Sequence, residues 1–269
     1  MNARETSHGA ARAVEWEFGQ STYAAVLADV PTTLFSYWAD TAHHEFPGIA
    51  RDGSFFAQAA EGLMMFFDCV AAAGRMCGLP SRAADSVWHA WTRMDEVGLH
   101  RFTVRHFGRM IPHVDKAHMQ DMGRALAACL VQGRRRTGRP VGGTSLPRLF
   151  ALDAQLGMPH GFGYRVIGGL VACSLLDELG NPVDSVSFPA SLTPKALRFS
   201  GLISQAEYEE AAFPAGTCGS TAASANRSFD GSGHNVVLDG DSGGGDSDSA
   251  GGDGDGSCGG GCGGGGCGS

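Results

Sequence analysis

The chain has 269 residues and a formal net charge of −8, and its composition breaks near Pro214: 20 of its 41 glycines follow that residue. Seven aspartates and one arginine, Arg227, also follow it, so the C-terminal segment carries −6 and the preceding body only −2. A body so close to neutral excludes general nucleic-acid binding, which needs a basic surface for phosphate contacts.

Residues 1–12 read as a flexible N-terminus, and residues 13–213 as a mostly α, compact multi-helix domain. The first twenty residues are polar and mixed in charge, with no apolar core for export. From Ala13 to Asp40 the spacing is helical, with Trp16, Tyr23, Val26 and Leu27 as inward positions. Pro31 suits the start of a new helix that places Phe35, Trp38 and Ala42 on one face. His43 and His44, adjacent at its end, point in different directions and read as cap and surface residues.

Phe55 to Ala73 is strongly helical, with Phe56, Ala59, Leu63, Phe66, Phe67 and Val70 on the apolar side, and reads as the centre of the core. The best apolar runs, 62–67 and 167–176, fall far short of the roughly 20 residues that span a bilayer. No membrane span is therefore expected, and the expected location is cytoplasmic. Cys69, Cys77, Cys129 and Cys173 are then expected to be reduced, with Cys69 and Cys129 acting as small packed hydrophobes.

Ser81 is a good N-cap for the next helix. Ala84, Val87, Trp88 and Trp91 fall on one face of it, and Asp85 and His89 are neighbours four residues apart. Gly98 reads as a breaker, and Leu99, Phe102, His106 and Arg109 as a second helical run closed by Gly108 and Pro112. The stretch is a helical hairpin with Trp88 and Trp91 as its anchors. If its turn lies near Asp95, His89 faces roughly Phe102 to His106.

Ala117 to Arg134 is a further helix, with Met119, Met122, Leu126, Cys129 and Leu130 inward. The cluster Arg134, Arg135, Arg136 and Arg139 at its end reads as a solvated helix terminus, the alternative being an anion or partner site. Ser145 and Pro147 open a short helix through Leu156, and VDSVSF (184–188 with Val183) is a candidate strand. Ser191 and Thr193 can cap a last pair of helices, Leu197 to Ile203 and then a run opened by Ser204 and Glu207 as a capping box and ending at Phe213. No βαβ alternation is visible.

Residues 214–269 are expected to form a disordered acidic tail, because they hold too little apolar surface to offset the entropy of ordering them. They end in CGGGCGGGGCGS, with Cys258, Cys262 and Cys267 spaced four and five residues apart. Thiolates on a flexible chain can wrap a soft metal; free, cross-linked or modified thiols are the alternatives. GGDGDG lacks the repeat period and aliphatic residues of calcium-binding nonapeptides.

Three segments, ADSVWHAW, RFTVRHFGRMIPHV and LPRLFALDAQLGMPHGFGY, together with the Gly/Cys-rich end, resemble the glycine-rich domain-containing proteins known from plants and from shorter bacterial relatives. The resemblance covers about Phe46 to Tyr164 and the tail. Asp85, Trp88, His89, Phe107, Gly108 and His113 match its motif. Thr103 departs from it, standing where relatives often carry Cys, which weakens a metal or redox site using that position. The resemblance implies a helical domain and no defined chemistry.

Nucleophilic and nucleotide chemistry have no support, since no G-x-S-x-G elbow, phosphate-binding loop or dinucleotide fingerprint is present. Neither is HExxH or a paired CxxC. The remaining candidate is a zinc-type site of Asp85, His89, His106 and His113, in which Asp85 either ligates or orients His89. Its competitor is a half-buried His89 hydrogen-bonded to Asp85 to lock the hairpin. The expected function is a non-enzymatic helical interaction domain with a Gly/Cys-rich tether, binding a protein partner and needing no cofactor. The alternative is a zinc-binding protein, with or without catalysis, centred on His89.

Overall fold

The computed structural model describes residues 3–114, 121–141 and 146–212, with side chains from residue 12 onward. The fold is mostly α, with one two-stranded antiparallel sheet among the described residues. Helix α1 (Ala3–Gln20) begins well before Ala13, so the expected loose N-terminus is helical from Ala3. Val14 and Phe18, four apart, take its inward stripe, which turns Trp16 outward at 63% exposure and corrects its expected inward placement. A short α2 (Ala24–Leu27) and α3 (Leu34–Thr41) follow, and a 3-10 turn, Ala42–His44, extends α3.

Helix α4 (Gly53–Ala73) is the hub. Asp52 caps it by accepting the Phe55 N–H at 2.9 Å, and Gly74 ends it in the left-handed conformation at φ 61°. Phe55, Phe56, Leu63, Met64, Phe66 and Phe67 are buried, because other helices cover α4 on several sides. By length and composition α4 is apolar enough to cross a membrane, but most of it is buried inside the fold, as befits a core helix. Its buried Glu61 is paired, accepting from Ser21 Oγ at 2.6 Å and facing Arg148 Nη1 at 2.5 Å.

Helix α5 (Arg82–Phe107) contains the predicted hairpin. Its backbone breaks at Asp95 (φ −160°, ψ 81°), not at Gly98. The Asp95 carboxylate accepts the Gly98 N–H at 2.8 Å and so caps the second segment. A Cβ on Gly98 would lie 2.0 Å from that carboxylate, so a larger residue there would displace the cap. Along a straight helix Trp91 and Phe102 would stand about 16 Å apart; their ring centroids are 4.7 Å apart, so the chain doubles back. Trp88 packs on Phe66 and Phe67, each at 5.3 Å, and joins the hairpin to α4.

Helix α6 (Met122–Arg136) starts at its Asp121 cap. Three of the four arginines at its end are engaged in separate ties, and buried Arg134 corrects the expected solvated terminus. Arg134 is buried and donates to the Val141 carbonyl, Arg135 pairs with Glu207 at 3.0 Å, and Arg136 with Asp68 at 2.6 Å. Helix α7 (Arg148–Leu156) lies so close to α4 that a Cβ on Gly62 would meet Leu152 Cδ2 at 2.3 Å.

Strands β1 (Phe162–Ile167) and β2 (Leu170–Leu175) form a hairpin through Gly168 and Gly169, at φ 57° and 83°. Two positive φ angles in a two-residue loop match the twist of paired strands. This hairpin was not expected, whereas the expected strand around VDSVSF contributes only an isolated bridge, Ser187 to Cys173. Helices α8 (Pro194–Phe199) and α9 (Gln205–Ala212) close the described chain. Thr193 rather than Ser191 caps α8. The Ser204–Glu207 capping box forms as expected, with bonds of 2.7 and 3.2 Å. Met119, Ser145 and the whole segment after Ala212, including Cys258, Cys262 and Cys267, lie outside the described residues.

Candidate metal centre

The site begins with how α5 is held at its start. Ser81 Oγ accepts the Ala84 N–H at 3.1 Å and donates to Asp153 Oδ1 on α7 at 2.6 Å. The same carboxylate accepts the N–H groups of Arg82 at 2.9 Å, Ala83 at 3.0 Å and Phe162 at 3.0 Å. Asp153 thus occupies the N-terminus of α5, where backbone donors and the helix dipole favour an anion. Burial pushes its carboxyl upward and the four donors oppose that shift. This one residue fixes α5 to α7 and β1, so the first turns of α5 have a set position. Trp38 Nε1 donates to Ser86 Oγ at 2.9 Å and adds a tie to α3.

On that fixed turn stands Asp85, and one turn later His89. His113, beyond the end of α5, returns to the same place, its ring edge-on to Trp88 at 4.6 Å and to His89 at 4.5 Å. The three residues each offer a ligand atom, all within 4.8 Å of one another. Asp85 Oδ1 is 3.2 Å from His113 Nε2 and 3.7 Å from His89 Nε2. Ligands on a tetrahedral zinc ion with bonds of about 2.05 Å stand about 3.3 Å apart, so these separations straddle the required value. At 3.7 Å the expected Asp85–His89 hydrogen bond is too long to hold the hairpin.

The fourth participant is Glu45, which directly follows the 3-10 turn Ala42–His44. Its Oε2 lies 2.6 Å from His89 Nδ1, and its Oε1 takes Arg93. With Nδ1–H donating to Glu45, His89 presents the Nε2 lone pair toward Asp85. Were a metal to bind at Nε2, Glu45 would stand where a carboxylate fixes the tautomer and orientation of a ligating histidine. Phe46, buried next to Glu45, sets its ring edge-on to His89 at 5.7 Å and carries the Arg82 guanidinium at 5.4 Å. Side-chain exposures of 16% for Asp85, 23% for His89 and 20% for His113 leave the cluster half-buried and open on one side. Were these three to ligate a metal, one position on it would stay open, as in catalytic rather than closed structural zinc sites.

His106 is not brought to this cluster. It lies past the break at Asp95, and its Nε2 is 2.9 Å from Asp29, which also faces Arg105 at 3.1 Å. No local spacing marks Glu45; it meets His89 across 44 positions of sequence. The His43 and His44 rings lie 4.0 Å apart at a tilt at the 3-10 turn, and neither belongs to the three-residue cluster.

Cys69, Cys77, Cys129 and Cys173 are buried. Burial raises the Cys77 thiol to about 12, and a hydrogen bond with Cys69, then burial, raise Cys129 well above its ordinary value. Thiols held protonated are poor nucleophiles and poor ligands, in keeping with packed hydrophobes.

No curated protein and no solved structure matches the chain. A family model described as UCP032817-like matches residues 50–168, a stretch that contains Asp85, His89 and His113 and leaves Glu45 just outside.

Proposed function

We propose that the domain binds one divalent metal ion, of the zinc type, through Asp85, His89 and His113, with Glu45 orienting His89 and an exogenous ligand filling the open position. The convergence of one carboxylate and two imidazoles within 4.8 Å carries this reading. Two imidazole nitrogens and a carboxylate oxygen suit zinc and neighbouring divalent ions. The geometry moves the balance from the interaction domain expected of the sequence toward its metal-binding alternative. A bound metal at an open position polarises an oxygen ligand or acidifies a water.

The experiment is metal analysis of the full chain grown with zinc, beside His113→Ala and a triple Cys258→Ser, Cys262→Ser, Cys267→Ser variant. One zinc per chain, lost in the first variant and retained in the second, is expected. Zinc retained without His113 and lost without the tail cysteines would move the metal to the tail. No zinc in any of them would overturn the metal reading.

The second reading, a helical interaction domain with a protein partner, is supported by Leu179 and Phe199, which stand 80% and 81% exposed. Loss of partner capture on Phe199→Ser with an unchanged fold is its test. Kinship with the glycine-rich domain-containing proteins belongs to the same proposal. It rests on Asp85, Trp88, His89, Phe107, Gly108 and His113. A structure of a plant relative whose matching Asp and two His side chains stand apart would sink it.

A further inference from the structure

A small cavity at the end of α6 shares no residue with the histidine cluster. Arg134, only 4% exposed, lines it together with Val141, Val171, Leu192, Leu197 and Ile203, all of them buried. The aliphatic walls come from β2, from the 3-10 turn Ala190–Leu192, from α8 and from the run into α9. Gly169, exposed in the β1–β2 turn, also lines the cavity, which therefore reaches the surface there.

The guanidinium decides the class of ligand. A buried charge is costly unless it is paired, and arginine does not escape the cost by shedding its proton. Its neighbours Arg135 and Arg136 have Glu207 and Asp68, but among the described residues no carboxylate pairs with Arg134. Burial lowers its pKa and no anionic neighbour opposes that shift. The Val141 carbonyl on Nη1 and the C-terminal end of α6 supply partial charges only. Nε is buried and has no hydrogen-bond partner. Nε–H and one N–H of Nη2 point the same way from the planar group, so with Nη1 engaged this edge remains for a two-oxygen acceptor. A carboxylate offers two coplanar oxygens and one negative charge, equal to the single unpaired positive charge. A tetrahedral dianion brings further oxygens, which aliphatic walls leave unsatisfied. The same walls suit a short hydrocarbon body.

We infer that this cavity binds a small aliphatic monocarboxylic acid, its carboxylate bidentate on the Nε–Nη2 edge of Arg134 and its hydrocarbon end toward Val171, Leu192, Leu197 and Ile203. The inference does not depend on the metal reading above.

The test is ligand-observed NMR on the full chain with butyrate at constant ionic strength, beside butyramide as its uncharged isostere. Saturable binding of butyrate is expected, about tenfold or more tighter than that of butyramide and not displaced by equimolar chloride. Arg134→Met should weaken it by a similar factor. Leu197→Phe, which narrows the cavity and leaves the guanidinium in place, should weaken it too, and circular dichroism checks the fold of both variants. His113→Ala should bind butyrate as the wild type does, which separates this site from a carboxylate held on a metal ion. No butyrate binding, equal binding of acid and amide, displacement by equimolar chloride, wild-type affinity in folded Arg134→Met or Leu197→Phe, or loss of binding in His113→Ala would each overturn the inference. The comparison of acid with amide needs no variant, so it decides even where Arg134→Met fails to fold.

Discussion

Replacing Asp153 by alanine tests the clamp that sets the position of the site. The change removes the acceptor of one hydroxyl and three backbone N–H groups, at 2.6 to 3.0 Å. An unsatisfied buried donor costs about 1–3 kcal/mol. The four costs do not simply add, because the cavity admits water and because the substitution also removes a buried carboxyl whose own desolvation opposes folding. A net loss of about 3–5 kcal/mol follows, the range for breaking a buried charge and its partners. Domains of this size are stable by only about 5–15 kcal/mol, so the loss is a large share. At roughly 2–4 °C per kcal/mol the midpoint of thermal unfolding should fall by roughly 6–20 °C. Urea unfolding followed by circular dichroism and tryptophan fluorescence measures it as a lower midpoint at unchanged slope. Asp153→Asn keeps the volume and one acceptor oxygen, and should lose less. A loss below about 1 kcal/mol for alanine would refute the view that this carboxylate holds the start of α5.

Three further outcomes follow from the geometry. Trp88→Ala should cost about 3–5 kcal/mol in urea unfolding, since the ring is buried among Phe66, Phe67 and His113; a near-neutral result would place that ring outside the core. His106→Ala should leave metal content unchanged and lower stability slightly, because His106 serves Asp29; loss of metal would return it to the ligand set. Burial alone would raise the Glu207 carboxyl, but donation from Ser204 and Arg135 outweighs it and holds the group below its ordinary value. A depressed carboxyl contributes stability above its unfolded value and loses it as pH falls through the folded one. The stability gap between wild type and Glu207→Gln should therefore be steady at neutral pH and close below about pH 4; a gap that widens on acidification would contradict this.

Legibility in the sequence followed sequence separation. The Ser81 cap, the Ser204–Glu207 box, the doubled-back chain around Asp95 and the apolar spacing of α4 involve residues three or four apart, where side-chain pattern and backbone geometry are tied together. Asp85, His89 and His113 were readable as candidates because their residue types suit a metal. Their convergence was not, since it needs the chain after Gly108 to return across Trp88. Glu45 and Asp153 were missed for the same reason: each meets its partners across 44 and 70 or more positions. His106 was drawn into the set by the assumption that it faced His89, whereas the turn sets Trp91 against Phe102 and sends His106 to Asp29. The β1–β2 hairpin had a local signal in Gly168-Gly169, but the flanking runs lack clean alternation. Val171, Ala172, Cys173 and Ser174 are buried in succession, and a short continuous run of that kind does not distinguish a strand from a helix.

The central claim is that a divalent ion sits among Asp85, His89 and His113. X-ray absorption at the zinc edge of the full chain reads the ligand shell directly, because nitrogen and oxygen at about 2.0–2.1 Å separate from sulfur at about 2.3 Å. The account predicts a shell of nitrogen and oxygen with the outer-sphere scattering of two imidazoles and no sulfur. A shell dominated by sulfur, or zinc without imidazole scattering, would contradict it.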